Sequence, residues 1–359
     1  VYFLRAYYYF ALVRMFGDVP LFVDRRLTVS DSRTLVRAPK ADVYKQIEKD
    51  LLAAIAVLPA TQVDKGRATK YAAQALLGKV YLYEGKYTDA APMLDNVITS
   101  QAFSLVPHFE DIFLESGENG PESVFEIQYS NGQGTYDWAH PTRGQGNFAV
   151  QMCGVRGLVG SASMPFNPGW SFNLPTQNLY DAYAAGDQRR DATLFDVEAY
   201  KTNNPSLAIS YQVAPYKNTG YYNKKYQPRK GQTSGQVELN YLNNFRTIRY
   251  ADVLLMAAEA YNKSGNDAKA KEYVNLVRRR AFGDNQHDIQ SSGTGLYLDI
   301  LNERRLELAM EGERFFDLVR TGKAQSVLGP LGFVAGKHEV FPIPQGEVDL
   351  SNLSQNPNY

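Results

Sequence analysis

Three carboxylates spaced one helical turn apart are the residues most suggestive of chemistry in this chain of 359 residues. Glu303, Glu307 and Glu311 share one face if this part of the chain is helical. A metal site in a helical bundle could use such a row, but it usually needs Glu-x-x-His partners, which the sequence lacks. The simpler interpretation is an acidic ridge balanced by nearby arginines. Those arginines are Arg304, Arg314 and the run Arg278–Arg279–Arg280.

Other catalytic and cofactor motifs are absent from the sequence. The four histidines, His108, His140, His287 and His338, are scattered and form no HExxH pair. There is neither a GxSxG elbow nor a GxxxxGK[ST] phosphate loop. We therefore expect no enzymatic activity, no bound metal and no cofactor.

Charge and cysteine content restrict the class of protein further. Lys plus Arg and Asp plus Glu number 38 each, so the sequence-wide excess of basic residues typical of nucleic-acid binding is missing. The single cysteine, Cys153, excludes a disulfide within the chain. No run of about 18 apolar residues is present, so no segment is predicted to span a membrane as a helix.

The two tryptophans, Trp138 and Trp170, are the candidate binding residues, because both lie in polar loop sequence. A pyranose ring has apolar C–H faces and a rim of hydroxyls. Its binders therefore need flat aromatic side chains flanked by polar groups. Neighbours that could complete such a site are Asn131, Gln133, Tyr136, Asp137, Arg143 and Asn147. The alternative is that both tryptophans pack beneath loops and anchor them.

Two segments carry the offsets of a tetratricopeptide repeat, a helical hairpin of about 34 residues. Residues 67–100 have Leu77, Gly78, Tyr81, Gly85, Ala90 and Leu94 at those positions. Residues 251–281 repeat the pattern with Ala258, Tyr261, Gly265, Ala270 and Val274. Both segments are predicted to form antiparallel helical hairpins.

Weaker helical patterns lie outside these repeats. Residues 1–16 and 40–58 are predicted to form another pair, and residues 297–320 a further helix. Arg305 interrupts the apolar face of that helix. A buried arginine needs a carboxylate partner, for which Glu259 is the candidate.

Between the repeats the helical period mostly disappears, and Gly, Asn, Pro, Ser, Gln and aromatic residues dominate. Within this stretch Glu122–Ser130 is predicted to be a strand, and Thr176–Ala185 a helix ended by Gly186. We expect one domain over residues 1–359. Residues 1–116 and 241–359 would form its helical scaffold, and residues 117–240 a loop-rich insertion that binds ligand.

Six segments in one order resemble the SusD/RagB family. They are FLRAYYYFALVRMFGDVPLF, ATKYAAQALLGKVYLYEGKYTDA, LPTQNLYDAYAAGDQRRDAT, FRTIRYADVLLMAAEAYN, ERRLELAMEGERFFDLVRTGK and FPIPQGEVDLSNLSQNPNY. The resemblance implies an all-α fold of four tetratricopeptide-like helix pairs with an irregular insertion. The family's signal peptide, its lipid-bearing cysteine and the region before the first helix are not in this sequence, and Val1 is expected to be an internal residue of a longer protein.

The resemblance also implies a function. Family members are lipid-anchored proteins at the extracellular face of the outer membrane that capture oligosaccharides or polysaccharides. They deliver them to a TonB-dependent transporter of the SusC type, which they close as a lid. The membrane contact of such a protein would run only through a lipid anchor absent from this sequence. The alternatives are a peptide-capturing relative on the same scaffold, a repeat-type interaction adaptor, and a hydrolase with two carboxylates about 5–10 Å apart.

Overall fold

The computed structural model describes residues 1–132, 136–140, 144–213 and 218–359. Contacts divide the chain into two compact units. Unit 1 comprises Val1–Gln62, Ala68–Asn96 and Glu313–Tyr359, and unit 2 comprises Val63–Arg67 and Val97–Gly312.

The regular secondary structure of the described residues is mostly α-helical, with short strands only in unit 2. In chain order the α-helices are α1 (Tyr2–Phe16), α2 (Val29–Ser32), α3 (Lys40–Val57), α4 (Lys70–Tyr83), α5 (Tyr87–Thr99), α6 (Ala149–Cys153), α7 (Gln177–Ala182), α8 (Arg189–Thr193), α9 (Val197–Asn203), α10 (Tyr250–Lys263), α11 (Asp267–Phe282), α12 (Gly293–Glu307), α13 (Arg314–Arg320), α14 (Ala324–Leu328) and α15 (Gln345–Leu350). The strands are β1 (Ser123–Ile127), β2 (Leu194–Asp196), β3 (Tyr221–Asn223) and β4 (Phe245–Arg249). No helix within these described ranges has the length and apolar character needed to cross a bilayer.

The predicted pairing of residues 1–16 with 40–58 is confirmed in unit 1. Helix α1 buries Phe3, Phe10 and Val13 on one face, at the spacing that places side chains on one side of a helix. The Phe10 ring meets Tyr44 of α3 edge-on, with ring centroids 6.4 Å apart. The Arg5 guanidinium also pairs with Asp50 of α3 at 2.6 Å.

The hairpin predicted for residues 67–100 is formed by α4 and α5. Gly78 lets the two helices approach closely, because a Cβ placed there would lie 2.6 Å from the Leu94 side chain. Gly85, in the connection, has φ +73°, a left-handed conformation that glycine adopts without strain. The small residues of the repeat pattern are therefore required by the packing.

The hairpin predicted for residues 251–281 is confirmed as α10 and α11 in unit 2. Gly265 in its turn has φ +84°, and the Asn266 side chain caps α11 by accepting a hydrogen bond from the Lys269 N–H at 3.1 Å. Helix α12 packs against both helices. The all-α, tetratricopeptide-like fold class predicted from the sequence is therefore correct.

The single helix predicted over residues 297–320 is wrong. Helix α12 ends at Glu307 and α13 begins at Arg314. Between them Met310 has φ +67° and Gly312 has φ +86°, conformations that no right-handed helix contains. The apolar spacing in the sequence continues past the residue at which the helical backbone conformation ends.

The described part of residues 117–240 contains only short elements, as expected of the loop-rich insertion. Strand β1 lies within the predicted strand and pairs antiparallel with β4, while β2 pairs antiparallel with β3. The predicted helix at Thr176–Ala185 is α7, which Thr176 caps by accepting a hydrogen bond from the Leu179 N–H at 3.2 Å. It is shorter than predicted. The division of the chain into scaffold and insertion stays a prediction.

The predicted ion pairing of the acidic row is confirmed for Arg278 and Arg280, whereas Arg304 pairs with Asp252 and Arg279 with Asp288. The row is buried rather than a solvated ridge. Glu303, Glu307 and Glu311 are at most 7% exposed. Arg278 pairs with Glu303 at 2.9 Å, and Arg280 pairs with Glu307 at 2.6 Å. No group of three or more His, Cys, Asp or Glu side chains among the described residues is arranged to hold a metal ion.

The predicted burial of Arg305 against a carboxylate is wrong, and the neighbouring arginine takes that role. Arg304 is 1% exposed and pairs with Asp252 of α10 at 2.7 Å. Arg305 is half-buried and donates to the Asn178 side-chain oxygen at 2.6 Å. The buried residues of α12 include Leu301 and Arg304, and the Arg305 side chain is turned by about 100° from that of Arg304.

Replacing these two arginines tests the revised assignment. Arg304→Ala leaves the buried Asp252 without this partner, and we expect a loss of about 3–5 kcal/mol in the free energy of unfolding. Arg305→Ala, the matched control, should cost about 1 kcal/mol or less. Denaturant melts measure both values, and equal losses would contradict the assignment.

Candidate functional site

The two tryptophans, 32 positions apart in the sequence, lie together in unit 2. Their ring centroids are 6.1 Å apart and their planes are 29° from parallel, so the indoles stack. Trp138 is 57% exposed, whereas Trp170 is half-buried beneath it. The pair therefore presents aromatic surface to solvent.

The backbone around Trp170 is fixed by hydrogen bonds. Its N–H donates to the Gln151 carbonyl of α6 at 2.9 Å, and its own carbonyl accepts from the Arg156 guanidinium at 2.6 and 3.1 Å. The residue before it, Gly169, crosses Gly154 so closely that a Cβ would lie 2.3 Å from the Gly154 Cα. A side chain at either glycine would displace the loop that carries Trp170.

Tyr136 is held by a single buried amide. Its N–H donates to the Asn240 side-chain oxygen at 2.7 Å, and its carbonyl accepts from the Asn240 Nδ2 at 2.9 Å. Asn240 is fully buried. The Tyr136 ring meets Phe148 edge-on at 6.0 Å. Asn240 thus sets the position of the chain two residues before Trp138.

Asp137 lies at the surface within a short turn. Its carboxylate accepts from the His140 N–H at 2.7 Å and lies 3.1 Å from the His140 Nδ1. These hydrogen bonds lower the pKa of Asp137 below its ordinary value, so its carboxylate stays charged. Asp137 can still accept hydrogen bonds from a ligand, since its side chain remains 55% exposed.

The remaining polar residues predicted for the site differ in their placement. Asn147 is 3% exposed, and its amide bonds to the Asn243 carbonyl at 2.8 Å and the Ala149 N–H at 3.1 Å. We therefore revise Asn147 from a ligand contact to a loop anchor. Asn131 is half-buried, and its carbonyl accepts from the Ser234 hydroxyl. Gln133 and Arg143 lie outside the described residues.

Two further aromatic residues belong to this surface and were not predicted. Phe148 precedes α6 and is 41% exposed, and Phe172 follows Trp170 by two residues and is 55% exposed. The Phe172 N–H donates to the Met152 carbonyl at 2.8 Å, and the Met152 N–H donates to the Phe148 carbonyl at 3.3 Å. Helix α6 thus connects Phe148, Trp170 and Phe172. The sequence feature that could have identified Phe148 and Phe172 is that each is an aromatic residue in a polar, Gly-rich segment.

We call this surface, formed by Tyr136, Trp138, Phe148, Trp170 and Phe172, the aromatic surface. It carries stacking groups and exposed acceptors. The geometry therefore suits binding by contact with flat, partly apolar rings.

A family model described as the SusD family matches residues 121–333. The chain belongs to the SusD family. A second family model, described as "Starch-binding associating with outer membrane", matches residues 1–82. The family resemblance predicted from the sequence is confirmed.

Individual relatives agree with this assignment. SusD-like protein P2 of Formosa agariphila is 32% identical over 100% of this chain and 73% of its own length. A solved laminarin binding SusD-like protein is 38% identical with a TM-score of 0.88, covering 100% of this chain and 77% of that one. Surface glycan-binding protein A from Bacteroides thetaiotaomicron, solved in complex with laminarihexaose, is 30% identical with a TM-score of 0.85 and the same coverage.

Removing the Asn240 amide should disorder the segment that carries Trp138. Asn240→Ala leaves the Tyr136 N–H and carbonyl unpaired, which we expect to cost about 1–3 kcal/mol. The near-ultraviolet circular dichroism of the stacked tryptophans should weaken. Asn302→Ala, at an exposed helical asparagine, is the control. An unchanged tryptophan signal in Asn240→Ala would show that the amide does not position this segment.

Proposed function

We propose that this chain captures oligosaccharides or polysaccharides at the extracellular face of the outer membrane without altering them chemically. The observation that carries the proposal is the stacked pair of Trp138 and Trp170, with Trp138 exposed. An indole offers a flat apolar face to the C–H groups of a sugar ring. Binding then replaces water on both surfaces.

The aromatic surface suits a ligand of several sugar units. Tyr136 and Trp138 are two residues apart, and each contacts an aromatic partner attached to α6. Phe172, two residues after Trp170, adds an exposed ring. A single monosaccharide would leave most of these rings in water, so an oligosaccharide makes better use of the surface.

The ligand we propose to test first is a laminarin-type β-1,3-glucan. Two similar solved proteins are described by their binding of laminarin or laminarihexaose. The exposed aromatics support a glycan over the peptide-capturing alternative, whose groove we expect to be more charged and to have fewer exposed rings. Asp137 and the half-buried Asn131 would bond the sugar hydroxyls.

Delivery to a transporter completes the proposed role. The family model that matches residues 1–82 carries the description of outer-membrane association, which supports a surface location. We propose a TonB-dependent transporter of the SusC type as the partner and a lipid anchor in the full-length protein as the membrane attachment.

Alanine at the tryptophans tests the aromatic surface. Trp138→Ala and Trp170→Ala should each weaken binding of laminarihexaose by about 2 kcal/mol or more, because each removes a stacking face. Calorimetry measures the affinity, and melting temperature should change little for Trp138. Tyr8→Ala is the matched control, since Tyr8 is an exposed aromatic of unit 1, 63% exposed.

Two outcomes would count against this assignment. Wild-type affinity in both tryptophan variants would place the glycan elsewhere. Loss of stability in both would mean that these residues anchor loops.

The purified chain should also leave its glycan intact. No catalytic motif occurs in the sequence, so incubation with laminarin should release no reducing ends above the buffer blank. Release that follows the protein through purification, and that one carboxylate substitution abolishes, would overturn the proposal of a non-enzymatic role.

A further inference from the structure

Unit 1 contains a cavity of about 570 Å³ that the aromatic surface does not involve. Its walls come from the C-terminal ends of α1 and α4, the first turn of α3, helix α13 and the segment at residues 339–340. Its volume falls in the range of about 300–1,000 Å³ typical of sites for small molecules. Its rim includes Lys40 and Ala41, both exposed.

The walls of this cavity are held in place by the C-terminal segment. The Phe341 N–H donates to the Met15 carbonyl at 2.7 Å, which sets Val340 beside the end of α1. Asn356 donates to the Phe16 carbonyl at 3.0 Å. Gly17 has φ +71°, and a Cβ there would contact Val340 at 3.5 Å. These contacts fix the position of one wall, so the cavity is preformed.

Aromatic rings and a guanidinium form the inner lining. The Arg14 guanidinium lies 4.5 Å from the centroid of the Phe316 ring and donates to the Tyr83 hydroxyl at 3.3 Å. The Glu313 carboxylate is 3.7 Å away and balances part of its charge. Tyr44, from α3, adds a second phenol to the lining. The lining thus offers flat apolar faces next to fixed hydrogen-bonding groups.

Charges of both signs face this cavity, which argues against a strongly charged ligand. Arg320 is paired with Asp317 at 2.7 Å, while Lys40 and Glu339 stand on the walls with opposite signs. Glu84 adds a carboxyl whose pKa burial raises to about 7, so near neutral pH it is present both as a donor and as an acceptor. An apolar ligand would remove water from these groups without forming hydrogen bonds to them. An anionic ligand would be repelled by the carboxylates.

We infer that the unit 1 cavity is a second carbohydrate site, which takes a neutral mono- or disaccharide. The sugar's C–H face would lie on the Phe316 and Tyr44 rings. Its hydroxyls would bond Arg14, Glu84 and the phenol hydroxyls of Tyr44 and Tyr83. Such a site would hold a short sugar independently of the aromatic surface.

The test separates the two sites with a blocking substitution. Ala41→Trp fills the rim from an exposed helical position, and Lys45→Trp on the same helix is the matched control outside the cavity lining. Both are made in the full chain carrying Trp138→Ala and Trp170→Ala, so that the aromatic surface cannot contribute. Saturation-transfer NMR and calorimetry with glucose and with laminaribiose then measure binding. Melting temperature reports whether each variant folds.

We expect a weak affinity, with a Kd of roughly 1 mM, that survives loss of the tryptophans. It should weaken about tenfold or more in Ala41→Trp and stay unchanged in Lys45→Trp. Tyr44→Phe, which removes one hydroxyl and little volume, should weaken it severalfold.

Three results would overturn the inference. They are no binding of either sugar, binding lost with the tryptophans alone, and binding that Ala41→Trp and Tyr44→Phe leave unchanged. Affinity of the aromatic surface for laminarihexaose is measured separately in the chain with both tryptophans. Failure of that proposal therefore leaves this test intact.

Discussion

Unit 2 depends on one buried guanidinium. Arg249, at the end of β4, is 1% exposed and bonds the carboxylates of Glu122 at 2.6 Å, Glu307 at 2.9 Å and Glu311 at 2.8 Å. These carboxylates precede β1, end α12 and follow α12. The surrounding carboxylates raise the pKa of Arg249 well above its ordinary value, and burial lowers the pKa of the nearby Lys225 to about 8. A buried ion cluster adds little net stability but tolerates few alternative arrangements, so it specifies how strand and helix meet.

That constraint extends to the aromatic surface through the sheet. Strand β1 ends at Ile127, and the loop that carries Tyr136 and Trp138 starts there. Asn244, just before β4, accepts from the Tyr129 N–H at 2.8 Å and donates to Glu126 at 3.0 Å. The beginning of this irregular loop is therefore tied to the two strands that Arg249 positions. Here hydrogen bonds between polar side chains and backbone groups fix the chain, as backbone hydrogen bonds do within helices and strands.

Predictions from the sequence were most accurate where a local pattern of residues determines the structure. Gly78 and Leu94 follow the repeat spacing because two helices cannot approach without a small residue. Two arginines of the run, Arg278 and Arg280, pair with the glutamates as expected, whereas Arg279 pairs with Asp288. Arg305 was given the buried role that Arg304 has, because adjacent helical side chains differ by only about 100° in direction and an apolar stripe does not separate them that finely. The contact of Trp138 with Trp170, the burial of Asn147 and the roles of Phe148 and Phe172 depend on where loops cross. Contacts such as that between Gly154 and Gly169 determine where the loops cross, and no periodic pattern in the sequence predicts them.

The aromatic rings of the aromatic surface and of the unit 1 cavity differ in their exposure and in the space around them. In the surface, Trp138 is exposed and rigidity comes from the backbone bonds beneath it, so a sugar chain of any length can extend past its edges. In the cavity, rings and charged groups line a half-open pocket of about 570 Å³, which limits the size of what it can hold. A protein that captures long glycans needs the first property, because a pocket of this volume holds only a short stretch of a sugar chain. If both proposals hold, the affinities of the two sites should depend on chain length in opposite ways, with longer glucans favouring the aromatic surface and short sugars the cavity.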